Sequence, residues 1–288
     1  MSYVFFGTPE FAAIVLRKLV EAKIPPSLAI TNPDRPFGRK KIITPPPTKL
    51  LANKYNIAVA QPEVLSNFKF EIRNSKFDFF VVAAYAKILP KEILQIPRLG
   101  VIGIHPSILP KYRGPTPIQS VILNNEKETG VTLYLLDEKV DHGEIIAARS
   151  YKLDGNETYE KLMKKLAELG ADLLIKTIPE FMAGHLTPEK QDETKAAYTK
   201  KFKTDDGFVD PQMLQNSILG KNPEEAELIL RKIKALNPEP GVWTYQKGKR
   251  VKLLEADLAG GKLVLKKIQI EGQKPTSLKP NTYNLKPN

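Results

Sequence analysis

The chain has 288 residues, of which 42% are hydrophobic and 26% charged, which is typical of a globular protein with room for two domains. It contains no cysteine, which excludes disulfides, thiolate nucleophiles and cysteine-ligated metals, and suits a reducing cytosol, so we expect a cytoplasmic protein. The formal charge of +12 matters by its position, because residues 228–288 hold 13 Lys and Arg against 4 Asp and Glu. This basic excess suits a polyanionic partner, although a solvated lysine-rich surface would have the same composition.

Short apolar runs alternate with helical patterns through the first part of the chain. The N-terminal run, residues 1–6, is too short for a signal peptide or a membrane span. The runs predict strands at 3–6, 27–31, 57–60, 79–84, 100–105, 131–136 and 145–151, with helices between several of them. A long helix should follow Asn156 or Thr158, with Leu162, Leu166, Leu169 and Leu173 on one apolar stripe. This alternation predicts an α/β domain with a Rossmann-like, doubly wound, mostly parallel sheet.

Residues 35–49 interrupt this pattern with four prolines and a glycine, which rule out a continuing strand or helix and predict a long surface loop. The segment carries five basic residues and no acid. It suits a loop that grips a phosphate backbone, with Phe37 available as an apolar wedge. A solvated loop held in place by its prolines is the alternative.

The apolar pattern thins over residues 184–202, and we place an interdomain linker at 189–205. It would separate a first domain, residues 1–188, from a basic second domain, residues 206–288. In the second domain a helix over 223–236 precedes strands over 241–245, 251–256 and 262–270, which predicts a small OB-like β-barrel. Barrels of this size commonly bind oligonucleotides, although many do not.

His105 ends one predicted strand, and Asp141 lies in an acidic loop after another. Ligands of open α/β sheets bind at the carboxyl ends of the strands, so a titratable residue there is a site candidate. An aspartate that accepts a hydrogen bond from an imidazole prepares it for proton transfer or for stabilising an oxyanion. A core histidine satisfied by a neighbour is the alternative, and spacing alone does not show that the two side chains touch.

Two motifs contain these residues. Residues 105–114 read His-Pro-Ser-Ile-Leu-Pro-Lys-Tyr-Arg-Gly, and residues 136–144 read Leu-Asp-Glu-Lys-Val-Asp-His-Gly-Glu. Both resemble the signatures of the folate-dependent formyltransferases. Shorter segments at 6–11, 34–39, 84–90 and 236–241 resemble, more narrowly, the methionyl-tRNA formyltransferases, so the resemblance covers nearly the whole chain.

The resemblance implies a transferase that moves the formyl group of 10-formyltetrahydrofolate to the amino group of methionine on initiator tRNA, in translation initiation. His105 and Asp141 would be catalytic. The folate would be held by Tyr85, Lys87, Ile88, Leu89, Ser107, Ile108, Leu109, Pro110, Asp137 and Val140. The tRNA would be held by Arg35, Phe37, Arg39, Lys40, Lys41, Lys247, Lys249 and Arg250. We expect no metal, no membrane and a monomer; His142 should be merely exposed, and His185 structural or solvated.

One departure from the family pattern affects the site. The pattern has Asn two residues before the histidine, where this chain has Gly103, and the family Asn is expected to hydrogen-bond the formyl oxygen. Losing such a donor typically costs a hundred- to a thousandfold in rate, on the order of other oxyanion-site deletions. A weak or inactive enzyme, a site in which water or a backbone N–H substitutes, and an introduced substitution all remain open.

Two other functions remain open. A sugar-nucleotide or other small-amine N-formyltransferase could use the same catalytic domain, although it would not need the basic loop and basic second domain. A catalytically impaired relative that binds tRNA or folate would explain Gly103. A formyl-transfer assay on charged initiator tRNA, comparing this chain with Gly103→Asn, discriminates between them.

Overall fold

The structure is a computed structural model in which residues 1–38, 40–65 and 76–279 are described. The chain divides into two compact units. Unit 1 comprises Met1–Pro117, Glu128–Lys152 and Leu162–Thr199, and unit 2 comprises Ile118–Lys127, Leu153–Lys161 and Lys200–Asn288. Most of the segment predicted as a linker thus belongs to unit 1. The predicted domain limits otherwise stay a prediction.

A seven-stranded sheet forms the centre of unit 1. Its strands are β1 (Tyr3–Gly7), β2 (Leu28–Ile30), β5 (Val59–Ala60), β6 (Phe79–Ala83), β7 (Val101–His105), β8 (Glu128–Leu135) and β9 (Ile145–Lys152), and they lie in the order β5-β2-β1-β6-β7-β8-β9. The four pairs from β5 to β7 are parallel, whereas β8 pairs in antiparallel fashion with both β7 and β9. The predicted mostly parallel, Rossmann-like sheet is therefore confirmed.

Among the described residues, unit 1 contains the helices α1 (Glu10–Glu21), α2 (Pro47–Lys54) and α3 (Lys91–Leu94) and most of α5 (Tyr159–Ala183), whereas all but the first residue of α4 (Pro117–Leu123) belongs to unit 2. The apolar stripe of α5 is rotated from the predicted one, since Leu169 and Leu173 are only half-buried and Gly170 and Leu174 are buried. The reason is close packing on the sheet. A Cβ at Gly170 would lie 2.8 Å from Ile104 Cγ2 and 3.1 Å from Val131 Cγ1, so only glycine lets the helix approach β7 and β8 this closely.

The segment 35–49 is not a continuous loop as predicted. β3 (Arg35–Phe37) and β4 (Ile42–Thr44) pair as an antiparallel hairpin, and α2 already begins at Pro47. Proline does not prevent either element, because Pro36 lies in a two-stranded ribbon with open edges and Pro47 occupies the first helical turn.

Unit 2 contains a four-stranded antiparallel sheet, in the order β10 (Trp243–Gln246), β11 (Lys249–Ala259), β12 (Lys262–Ile270) and β13 (Thr276–Ser277). Two helices precede it, α6 (Pro211–Leu219) and α7 (Pro223–Leu236). The prediction missed α6, although Asp210 caps its N-terminus and Gly220 ends it in the left-handed conformation. Among the described strands no pairing closes this sheet, so the OB-like barrel stays a prediction.

None of the helices within the described residues has the length and apolar character needed to cross a membrane.

Candidate active site

His105 is the last residue of β7 and lies at the carboxyl edge of the parallel strands. The chain buries it, leaving 6% of the residue exposed. Its Nε2 lies 2.8 Å from the carbonyl oxygen of Tyr112, and its Nδ1 lies 3.5 Å from Oδ2 of Asp141. The structure therefore brings together the histidine and aspartate that the sequence singled out.

Asp141 is fixed from two directions. Its Oδ2 accepts a hydrogen bond from the backbone N–H of Gly114 at 2.7 Å, and its Oδ1 accepts one from the hydroxyl of Tyr134 at 2.6 Å. Its backbone has a φ of +48°, an uncommon conformation for a residue other than glycine. The following turn leaves no room for a side chain at Gly143, where a Cβ would lie 1.7 Å from the carbonyl oxygen of Leu135. The carboxylate is thus held by a rigid loop.

This arrangement defines where a proton can move. A carbonyl oxygen only accepts, so His105 donates from Nε2 to Tyr112. In the neutral ring Nδ1 then carries the lone pair, and in the doubly protonated ring it donates toward Asp141. The side of the ring that faces Asp141 can therefore take up and return one proton. Burial raises the pKa of Tyr134 well above its ordinary value, as does the neighbouring Asp141 carboxylate, so its hydroxyl remains a donor.

The buried side chain of Arg113 supports, through Gln191, the loop that contains Asp141. Arg113 donates to Oε1 of Gln191 at 2.7 Å and to Oε1 of Glu193 at 2.6 Å. The amide of Gln191 in turn donates to the carbonyl oxygens of Asp141 and Gly143, at 3.0 and 2.7 Å. Sequence reasoning missed Gln191 and Glu193 because their polar segment was predicted as a linker. An arginine in an apolar motif was the available signal, since a buried guanidinium needs acceptors.

His142 is not merely exposed, so that expectation is wrong. Its side chain is 28% exposed, its Nδ1 is hydrogen-bonded to Asp137, and its Nε2 lies 3.6 Å from Glu193. His185, by contrast, is exposed and its Nδ1 lies 3.1 Å from Glu180.

The residues predicted for folate after β6 have divided roles. Tyr85 and Leu89 are buried in the core, and Tyr85 packs edge-on against Phe6 with ring centroids 5.4 Å apart. Burial raises the pKa of Tyr85 to about 12. Lys87 donates to the carbonyl oxygens of Pro62 and Glu63, whereas Ile88 is 76% exposed and remains available to a ligand.

The residues predicted for folate after β7 form a loop tied to β8. Thr132 donates its hydroxyl to the carbonyl oxygen of Ser107 at 2.7 Å and accepts from the N–H of Leu109 at 3.0 Å. The hydroxyl of Ser107 is used within the loop, where it donates to Lys111. Ile108 and Pro110 are half-buried and Val140 is exposed. Because β6 and β7 are neighbours, the two loops that follow them leave the same edge of the sheet.

The residues predicted for tRNA lie in separate units. In unit 1 the hairpin exposes Arg35, Lys40 and Lys41, together with Phe37, which is 75% exposed, and Ile42. Arg39 lies outside the described residues. In unit 2 Lys247 and Lys249 are exposed, whereas the guanidinium of Arg250 stacks on the Trp243 ring at 4.0 Å.

Comparison with known proteins assigns the family. The formyl transferase family model matches residues 1–178, and the model of the formyl transferase C-terminal domain matches residues 223–262. A methionyl-tRNA formyltransferase from Caldicellulosiruptor saccharolyticus is 41% identical over 263 residues, 90% of this chain and 80% of that protein. The chain belongs to the methionyl-tRNA formyltransferase branch of this family.

Solved structures of this family share the fold. The methionyl-tRNA formyltransferase from Clostridium thermocellum superimposes with a TM-score of 0.60 at 19% identity, covering 94% of this chain and 98% of that one. WlaRD, a sugar 3N-formyl transferase solved in the presence of dTDP and 5-N-formyl-THF, superimposes with a TM-score of 0.64 at 21% identity, covering 90% and 87%. A methionyl-tRNA formyltransferase of this kind is a folate-dependent transferase. The carboxyl end of β7, where His105 lies 3.5 Å from Asp141, is therefore its candidate active site.

Proposed function

We propose that this protein transfers the formyl group of 10-formyltetrahydrofolate to the α-amino group of methionine esterified to initiator tRNA. The observation that carries the proposal is the His105–Asp141 pair, 3.5 Å apart at the carboxyl end of β7, in a chain of this family. The folate is a co-substrate. Among the described residues no three His, Asp or Glu side chains are grouped as a metal site would need.

The pair supplies proton transfer. The neutral α-amine attacks the formyl carbon, a new C–N bond forms, and negative charge develops on the formyl oxygen, which faces His105. The amine gives up one proton and N10 of the folate accepts one as the old C–N bond breaks. One proton moving between the amine, the His105–Asp141 pair and N10 completes the transfer. No covalent intermediate with the protein is required.

The folate site is proposed along the loops that follow β6 and β7, with Asp137 and Val140 at its side. Tyr85, Leu89 and Ser107 would fix the conformation of these loops, because their side chains are buried in the core or hydrogen-bonded within the loop. Ile88 and Val140 have exposed apolar surface that can contact the ligand directly.

The tRNA contacts are proposed for two surfaces. The hairpin combines exposed apolar side chains, Phe37 and Ile42, with Arg35, Lys40 and Lys41, which suits an end of a duplex where bases and phosphates are both accessible. The turn at Lys247 and Lys249 in unit 2 adds charge for the phosphate backbone. A small amine acceptor would use neither surface.

The test is a transfer assay with 10-formyltetrahydrofolate and three acceptors: methionyl initiator tRNA, free methionine and a dTDP-linked amino sugar. We expect product on the charged tRNA, with a KM that rises steeply with salt because phosphate contacts release counterions. Transfer to the amino sugar but not to the tRNA would replace the proposal with the small-amine function. His185→Ala is the matched control for the catalytic variant His105→Ala, since His185 is exposed and its Nδ1 lies 3.1 Å from Glu180.

A further inference from the structure

The residue opposite Gly103 carries a role that no motif indicates. We infer that Tyr134 is a positioning residue of the active site: its ring fills the space above Gly103, and its hydroxyl holds the carboxylate of Asp141. The inference deepens the proposed function and rests on it for its kinetic part. The space that the Asn side chain of the family pattern would take is filled by the ring of this tyrosine from the neighbouring strand.

Strand register creates this arrangement. Gly103 of β7 and Tyr134 of β8 are directly paired across the antiparallel ladder, as are His105 and Thr132. Paired residues point to the same face of a sheet, and so do residues two apart along a strand. Tyr134 therefore projects from the face that also carries His105.

The ring of Tyr134 and a side chain at position 103 exclude each other. A Cβ at Gly103 would lie 2.4 Å from Cε1 and 2.7 Å from Cζ of Tyr134, and 2.5 Å from Cδ1 of Leu136. Gly103 is in regular strand conformation, so backbone freedom is not its reason. The glycine makes room for the tyrosine, and simple reversion to Asn would displace the ring.

The hydroxyl of Tyr134 is directed at the catalytic carboxylate. It donates to Oδ1 of Asp141 at 2.6 Å, while Oδ2 faces His105 at 3.5 Å and the N–H of Gly114 at 2.7 Å. The two oxygens are thus held by different elements, and rotation of the carboxylate about its Cβ–Cγ bond would break both bonds. Tyr134 fixes the rotamer in which Oδ2 meets His105. Hydrogen bonds to a carboxylate are short and stronger than those to a neutral acceptor, and the 2.6 Å distance fits such a bond.

The experiment deletes the hydroxyl alone. Tyr134→Phe keeps the ring, and we expect kcat for formyl transfer to fall by roughly 10- to 100-fold, the effect of losing one charge-assisted hydrogen bond, with little change in KM for tRNA or folate. Tyr3→Phe is the matched control, because the hydroxyl of Tyr3 is also buried and donates at 2.6 Å, but to Ile24. It should leave kcat unchanged.

A double-mutant cycle tests the pairing with Gly103. Gly103→Ala should push the ring aside and lower kcat to a similar extent. Combined with Tyr134→Phe it should add little, because both changes break the same hydrogen bond. Fully additive losses would overturn the coupling, and Tyr134→Phe decides the role of the hydroxyl even if Gly103→Ala fails to fold.

A spectroscopic measurement separates this inference from the choice of substrate. The chain has 3 histidines, so the ring ¹H–¹⁵N resonances of His105 can be assigned by substitution. In Tyr134→Phe they should move while those of His142 and His185 stay, and Tyr3→Phe should move none. Unchanged His105 resonances with wild-type kcat would overturn the positioning role. A wild-type protein that fails to formylate charged tRNA would refute the proposed function, whereas the His105 resonances would still decide the role of Tyr134.

Discussion

Replacing Arg113 with methionine should destabilise unit 1 and slow catalysis together. The guanidinium is completely buried, and it donates to Gln191, Glu193 and the hydroxyl of Tyr198. Methionine keeps most of the buried apolar stem and removes every donor. Because Gln191 also holds the backbone of the Asp141 loop, the loss of Arg113 should also displace the Asp141 carboxylate.

The expected loss of stability in Arg113→Met depends on how exposed each hydrogen-bond partner of Arg113 is. Glu193 is exposed, so its ion pair with Arg113 is screened by solvent and contributes little. The two bonds to Oε1 of Gln191, at 3.1 and 2.7 Å, are less accessible. Because both bonds share one acceptor oxygen, losing them should cost about 2–3 kcal/mol, the upper part of the range for one hydrogen bond to a charged group. For a unit of this size that corresponds to a fall in Tm of roughly 5–10 °C.

Thermal unfolding followed by circular dichroism measures the first effect, and kcat for formyl transfer measures the second. Lys195→Met is the matched control, because it removes an exposed ion pair with Asp192, 3.0 Å long, from the same segment. It should change neither quantity. If Arg113→Met unfolds at the same temperature as Lys195→Met, the buried guanidinium does not hold the segment to unit 1 and its proposed role is refuted.

Three other predictions concern catalysis, binding and pH. His105→Ala and Asp141→Asn should each lower kcat by about 10²- to 10⁴-fold, the usual worth of a proton-transfer group, with unfolding and tRNA affinity unchanged; near-normal turnover in either variant would contradict the catalytic assignment. Phe37→Ser should raise KM for charged tRNA with no change in Tm, since the side chain is 75% exposed; an unchanged KM would remove the hairpin from the tRNA site. The backbone N–H of Ser2 holds the pKa of Asp78 below its ordinary value of 3.8. Ionised Asp78 therefore stabilises the fold above pH 3.8, and this contribution is lost as pH falls through its lower folded pKa. The free energy of unfolding in urea should therefore fall less at acidic pH for Asp78→Asn than for the wild type, and an equal fall in both proteins would contradict this.

Local pattern was enough for much of the fold. The apolar runs at 79–84 and 100–105 predicted β6 and β7 nearly to the residue, because buried parallel strands are continuously apolar. The helix over 223–236 was predicted with its observed limits, since Pro at its start and an amphipathic repeat are both local signals. The prolines of 35–49 led to the wrong prediction of a continuous loop. A proline is tolerated in a strand where its nitrogen faces an edge without a partner, and the sequence does not show which side of a strand is unpaired.

The sequence by itself determined the family, the parallel sheet and the two side chains, His105 and Asp141, that are proposed for the chemistry. It did so because strand periodicity and motif spacing are properties of short segments. Only the tertiary structure decided that Gln191 supports the Asp141 loop and that Tyr134 occupies the space at Gly103. These contacts join segments far apart in the chain or residues paired across strands, and the register of such pairing is fixed by packing, which no single segment contains.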